Sequence, residues 1–311
     1  MMRNMLLAMD PPRHSDYRRP LAPHFGKREI DALERRVRTV CAEILDRAAA
    51  QRDVEFVHDV CALLPSQVIG ELMGLPREDW SQIHEWAERT TSGGDGNASV
   101  QMAMYFIEFG GKRRADEPRD DLTSLILGTT FGDEPMSDID FGSFLVQLVT
   151  AGNDTTKTMM SSGLLALLGH PAQLAALRAD AALIPGAVEE ILRWANPLHY
   201  FRRTTTADAE VRGVTIPAGS KVAMVYTSAN RDEDVFPDPH AFDIRRDPNP
   251  HLSFGIAEHF CLGAHLARLE GRVFFEQLLE RFSAIELTGD PVRAKSNLNN
   301  ALLKLPVRLE A

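Results

Sequence analysis

The stretch "HLSFGIAEHFCLGAHLARLE", residues 251–270, decides the fold, because it sets one cysteine where a loop turns into an amphipathic helix. Behind Cys261, residues Leu262, Leu266, Leu269, Val273, Leu278 and Phe282 fall mostly on one helical face. Cys261 therefore sits at or just before a helix N-terminus, where unpaired amides and the helix dipole favour a thiolate. Gly255 and Gly263 permit close backbone approach to a flat ligand. These residues leave four roles open for the cysteine: a buried core thiol, a zinc ligand with His259 and His265, a nucleophile, or the sole thiolate ligand of something larger. A zinc site lacks a second close pair of ligands elsewhere in the chain.

The chain has 311 residues, 44% hydrophobic and 25% charged, enough for a sizeable core. A formal net charge of -10 disfavours nucleic acid and anionic lipid as bulk partners. Three cysteines, Cys41, Cys61 and Cys261, argue against a disulfide framework and for a reducing compartment. Cys41 and Cys61 lie in ordinary helical patterns and read as buried thiols. No apolar run approaches the roughly 20 residues of a membrane span, and "MMRNMLLAMDPPRH" has no secretory cleavage signature. The expected location is the cytoplasm.

Apolar residues recur at helical spacing from about residue 25 to about residue 90, as in Ile30, Leu33, Val37, Val40, Ile44 and Leu45. "TTSGGDGNAS" and "KRRADEPRDD" read as loops. A long helix is expected from Ser137, a good N-cap, to near His170 before Pro171. Residues 209–230 carry β-branched residues around a "PAG" turn and suggest a short β-hairpin. The tail "NLNNALLKLPVRL" suggests one or two short strands. The fold class is mainly α with a small β portion, in one domain over 1–311.

Three further groups of residues bear on chemistry. "AGNDTT", residues 151–156, puts consecutive poor helix formers inside an apolar helix, which predicts a local kink or groove there. Asp154 beside Thr155 sets an acid next to an alcohol, a workable proton relay. In "EEILR", Glu190 and Arg193 stand three apart on one helix face. His14, Arg18, Arg202, Arg203 and His259 are basic groups that together can pair with two carboxylates on one ligand.

Taken in this order, these motifs resemble the cytochrome P-450 family of haem-thiolate monooxygenases, from about Met9 to the C-terminus. "FGIAEHFCLG" is similar to the family's cysteine-ligand loop, which implies Cys261 as the iron ligand, with Phe254, Gly255 and Gly263 in the loop against the haem. "AGNDTT" resembles the oxygen-activation segment, with Ala151 near the haem and Asp154 and Thr155 as acid and alcohol. "EEILR" resembles the Glu-x-x-Arg lock. The resemblance implies haem b (iron protoporphyrin IX) as cofactor, with His14, Arg18, Arg203 and His259 on its propionates. It also implies insertion of one oxygen atom of O2 into a C–H bond of a hydrophobic small molecule of steroid, terpenoid or fatty acyl type. Substrate would lie near Gln147, Thr150, Leu198 and Ala301, with His199 and Tyr200 as polar anchors. Electrons would come from a ferredoxin or flavodoxin with its reductase, because the chain has no flavin or iron–sulfur motif. The alternatives are a peroxide-using haem-thiolate enzyme, or a truncated haem-protein fragment without activity.

The pattern departs from the family at three places. Ala257 stands where a second glycine is usual. Ala241 stands where an arginine often completes a triad with Glu190 and Arg193, so Arg231, Arg245 or Arg246 is expected to substitute. The chain also starts near the "MDPPRH" helix, an N-terminally truncated form of the family fold, which would leave the hairpin near residues 211–226 with an open edge.

Overall fold

The computed structural model describes residues 5–92, 95–131 and 134–311. Helices carry most of the chain: α1 (Arg13–Arg18), α2 (Lys27–Ala32), α3 (Glu34–Gln51), α4 (Leu63–Leu72), α5 (Trp80–Ser92), α6 (Gly96–Ala115), α7 (Leu122–Gly128), α8 (Asp138–Gly169), α9 (Pro171–Ala179), α10 (Ile184–Ala195), α11 (Tyr226–Ala229) and α12 (Ala264–Arg281). The Ser137 side chain caps α8 by accepting the Asp140 N–H, as its sequence position predicts.

The two expected loops are shorter than their composition suggests. Asp95 accepts the N–H groups of Asn97 and Ala98, so α6 starts at Gly96 despite its glycine and asparagine. Of the first loop, Gly93 and Gly94 lie outside the described residues. At the other end, Lys112, Arg113 and Arg114 form the last turn of α6, where cations complement the helix dipole. Arg113 turns inward to Asp121, at 2.8 Å.

The strands form small antiparallel sheets. Strand β1 (Asp53–Glu55) pairs with β11 (Pro306–Glu310), which pairs with β8 (Ala284–Leu287), in the register Val54↔Val307↔Leu287. Shorter pairs join β2 (Thr130–Phe131) to β3 (Glu134–Pro135) and β9 (Val292–Arg293) to β10 (Leu302–Lys304). The expected single hairpin is two ribbons. Strands β5 (Ala209–Val211) and β6 (Val214–Ile216) turn at Arg212 and Gly213, both at positive φ, as a tight hairpin turn requires. The "PAG" segment instead leads into β7 (Lys221–Val225), which pairs with β4 (Tyr200–Thr204) through Arg203↔Val222. Among the described residues each ribbon has two strands and therefore open edges.

The helices that position the site cross closely at glycines. A Cβ on Gly110 of α6 would lie 2.5 Å from the Phe141 ring, and one on Gly142 of α8 would lie 2.8 Å from the Ala103 carbonyl oxygen. On the opposite face of the core, a Cβ on Gly163 of α8 would lie 2.7 Å from Ile191 of α10 and 2.9 Å from Phe275 of α12. Gly271 of α12 lies against Met159 of α8 and Val188 of α10 in the same way. Around these crossings Phe141, Phe144, Phe274 and Phe275 are fully buried, each contributing roughly 1.5–3 kcal/mol of apolar burial.

Candidate active site

The cysteine loop is held from behind by side chains. Asn230 accepts the Leu252 N–H at 2.7 Å and donates to Ser253 Oγ at 2.9 Å, while Ser253 Oγ donates to the Leu192 carbonyl at the end of α10. Gly255 turns the chain at φ +72°, and Ala257 follows at φ +58°, a conformation that costs a residue with a Cβ. The Cys261 N–H donates to the Phe254 carbonyl at 2.8 Å and closes the loop. Phe254 is itself covered by the Arg268 guanidinium, 4.5 Å from its ring centre. Cys261 as a residue is half-buried. Its thiol lies deeper, and burial raises its pKa against the opposing pull of the Gly263 N–H, Arg18 and Arg268.

In front of the thiol lies a cavity that opens to solvent. Gln147, Ala151, Thr155 and Met159 of α8 form one wall, while Cys261, Gly263 and Leu266 form another. Leu6, Leu7, Leu198 and Phe201 contribute apolar surface to the lining. Four basic side chains also reach the lining, His14, Arg18, Arg203 and His259. The His14 and His259 rings stack with centroids 4.3 Å apart, and Arg18 donates to the Phe260 carbonyl at 2.6 Å. His14 is 2% exposed, yet its Nε2 has no hydrogen-bond partner. Burial lowers the pKa of both histidines, with Arg18 adding for His14, and His14, Arg203 and Arg18 for His259. An apolar slot with a deep thiol, an orphaned imidazole nitrogen and two guanidinium groups fits a flat cofactor with carboxylate arms.

Other expected residues fall elsewhere. Helix α8 continues through "AGNDTT". The polar side chains there find partners that leave the backbone ladder intact. Asn153 bonds Ser66 and His84, and Thr155 Oγ1 donates to the Ala151 carbonyl at 2.8 Å. Asp154 does not line the cavity. It lies 3.0 Å from Lys157 Nζ, which also reaches Glu88 of α5. Thr150 is likewise off the lining, with its hydroxyl turned back to the Val146 carbonyl at 2.7 Å. Ala301 is buried beside β10 and does not line the cavity, and neither His199 nor Tyr200 does.

The Glu190–Arg193 pair is fully buried, and Arg193 satisfies its donors in full. Its Nε and Nη2 donate to Glu190 at 2.7 and 2.8 Å, and the carbonyls of Asn230, Pro239 and Ala241 accept the rest. Of the three candidate arginines, Arg246 completes the set, with Nε 3.3 Å from Glu190 Oε2. Arg231 instead donates to the Trp194 carbonyl, and the Arg245 side chain takes no part in the set.

Among the lining residues that a motif search misses are Tyr226 and Glu270. A signal for Glu270 exists in the sequence: it lies between Leu266, Leu269 and Val273 on the apolar stripe of α12.

Comparison with known proteins gives consistent results. The family model "Cytochrome P450" matches residues 97–310. The chain is 36% identical over 310 residues to the steroid C26-monooxygenase of Mycolicibacterium smegmatis, covering 97% of this chain and 72% of that protein. It is 37% identical over 317 residues to the methyl-branched lipid omega-hydroxylase of Mycobacterium bovis, covering 97% and 74%. The crystal structure of P450BioI with hexadec-9Z-enoic acid ligated acyl carrier protein superposes with a TM-score of 0.93 at 33% identity, covering 99% of this chain and 82% of that one. Among the described residues, no helix is long and apolar enough to cross a membrane.

Proposed function

The chain belongs to the cytochrome P450 family, and from that premise we propose that it hydroxylates an apolar small molecule of steroid, terpenoid or fatty acyl type with Cys261 as its iron ligand. One atom of O2 enters a C–H bond and the other leaves as water, with two electrons and two protons taken up. The observation that carries this reading is the deep Cys261 thiol facing an apolar cavity with four basic groups in its lining. Haem b, when bound there, supplies the activation and transfer of oxygen, and thiolate ligation favours O–O cleavage.

The chain's own residues do the rest. Cys261 binds as its thiolate, whose charge the Gly263 N–H and the Arg18 and Arg268 cations offset. His14, Arg18, Arg203 and His259 bind the two propionates, which gives the orphaned His14 Nε2 a partner. Phe254, Gly255, Gly263 and Ala151 line the same cavity and would pack against the haem. Thr155 lines the cavity and passes protons from its hydroxyl, and Asp154 is the neighbouring acid, held in reserve by Lys157. Leu198, Phe201 and the aliphatic part of Gln147 exclude water from the substrate.

Support for the substrate class comes from the cavity's apolar walls and from relatives named for a steroid and a methyl-branched lipid. Electrons come from a ferredoxin or flavodoxin with its reductase. To test the function, the purified haem-loaded chain is reduced under carbon monoxide, and the expected result is the red-shifted Soret band of a thiolate-ligated haem. A band unchanged in Cys261→Ser, or none in the parent chain, sinks the proposal. Binding spectra across sterols, terpenoids and fatty acids then sort the substrate class, and spectral shifts confined to polar ligands would overturn it.

A further inference from the structure

The two adjacent glutamates of "EEILR" face different ways. Glu190 joins the buried set with Arg193 and Arg246, whereas Glu189 turns to Arg268 of α12. Glu189 Oε1 accepts from Arg268 Nε at 2.7 Å and Oε2 from Arg268 Nη2 at 2.8 Å, a two-point clamp that fixes the plane of the guanidinium. The clamp is held from a second side: Glu189 Oε2 lies 3.1 Å from His251 Nε2, and His251 Nδ1 accepts the Ser253 N–H at 3.3 Å. So held, Arg268 covers Phe254, with the guanidinium carbon 4.5 Å from the ring centre. The Phe254 carbonyl in turn accepts the Cys261 N–H at 2.8 Å. Contacts therefore run unbroken from Glu189 through Arg268 and Phe254 to the residue that carries the thiol.

We propose that Glu189 is a positioning residue for the iron ligand: it holds Arg268 flat on Phe254, where the guanidinium keeps a positive charge beside the Cys261 thiolate and so sets how readily the bound haem is reduced. The inference rests on the monooxygenase reading, in which Cys261 ligates haem iron. Reduction adds negative charge to the site, and a cation fixed close by stabilises it. An arginine with no clamp spreads over many rotamers and spends much of its time in water, where its charge is screened. Fixing Arg268 therefore raises the reduction potential, and releasing it lowers the potential.

The electrostatics agree with this role. Burial raises the pKa of the Cys261 thiol, and Arg268 is one of the two cations that oppose it, whereas Glu189 does not act on the thiol by charge. Burial works against ionisation of Glu189 too, yet Arg268 and His251 bring its carboxyl to about 2, so the clamp is charged throughout the neutral range. The sign of the effect then separates positioning from plain charge. Deleting the negative Glu189 makes the region more positive, which by itself raises the potential. Deleting the clamp displaces Arg268, the charge that the thiol feels, and lowers it.

The test is a spectroelectrochemical titration of the haem-loaded chain and its variants. Arg268→Leu is expected to lower the equilibrium constant for reduction by roughly tenfold, the effect of one partly screened charge. Glu189→Leu lowers it in the same direction, and Glu189→Gln, which keeps an acceptor oxygen for Arg268, lowers it less. In an Arg268→Leu background, Glu189→Leu lowers it no further, because Glu189 acts through the arginine. The proposal is overturned if Glu189→Leu raises the potential or leaves it at the parent value, or if it still lowers the potential when Arg268 is already leucine. Should Glu189→Leu fail to fold or to keep haem, Glu189→Gln and Arg268→Leu decide, and parent-like potentials in both overturn the proposal. Failure of the underlying reading shows separately, as absence of the thiolate-type carbon monoxide band in the parent chain.

Discussion

Lys157 Nζ lies 3.0 Å from Asp154 on its own helix and 3.2 Å from Glu88 on α5, with its side chain only 3% exposed. Burial lowers its pKa, and the two carboxylates more than restore it. Removing the cation leaves Asp154 without its ion-pair partner and Glu88 with His58 alone. Lys157→Met is expected to cost about 3 kcal/mol in urea unfolding. The double variant with Asp154→Asn should cost less than the sum of the singles; strict additivity would show that the pair does not interact.

Ala257 holds φ +58° in the cysteine loop. Glycine reaches that region without the Cβ clash, so Ala257→Gly should stabilise the folded chain by about 1 kcal/mol. A higher thermal midpoint is the readout, and an unchanged or lower one would show that the loop is not strained there.

Arg193 and Arg246 both approach Glu190 but differ in what they leave behind. Arg193→Ala leaves buried Glu190 with the longer Arg246 contact, the Asp243 N–H and Asn249, and frees the Asn230 and Pro239 carbonyls, at a cost of about 3–5 kcal/mol. Arg246→Ala leaves Glu190 with Arg193, the Asp243 N–H and Asn249, so about 1–2 kcal/mol is expected. Chemical denaturation of the two variants should preserve that order.

Acid should destabilise the protein through its paired glutamates. Hydrogen bonding to His58 holds Glu88 at about 2, and Arg268 and His251 bring Glu189 to about 2 against its burial. Both lie below the ordinary 4.5, so their stabilisation is present above that pH and is lost as pH falls toward 2. Glu270 has the opposite sign, and its contribution is lost as pH rises from 4.5 through about 8. Glu189→Gln should flatten the acid limb of a stability–pH curve and Glu270→Gln the alkaline one; parallel curves for variant and parent would refute the assignments.

Gly163→Ala places a methyl group within 3 Å of Ile191 and Phe275. A loss of roughly 1–3 kcal/mol is expected on unfolding. A neutral result would mean the three helices can move apart.

Much of this site is legible because local rules fix it. Ser137 as a cap, Cys261 before α12 and Glu190 three residues before Arg193 all depend on neighbours in sequence. Asp154 escapes such reasoning because its direction is decided by Lys157 together with Glu88, which belongs to a separate helix. The role of Arg246 is hidden for the same reason: it meets Glu190 in space from a loop with no regular period. Thr150 precedes the lining residue Ala151, and a single residue's rotation around α8 carries it off the wall. The "GGDGN" composition misleads because one aspartate cap outweighs several weak helix formers.

The crossings at Gly163 and Gly271 limit how this enzyme can be re-engineered. They clamp α8 to α10 and α12 with no spare methyl group, and α8 and α12 are also walls of the cavity. The chamber therefore cannot be widened by prying its walls apart. Room for a bulkier guest has to be carved from lining residues outside those crossings, by trimming Leu6, Leu7, Leu198 or Phe201, so that choice of guest and rigidity of frame can be tuned as separate design variables.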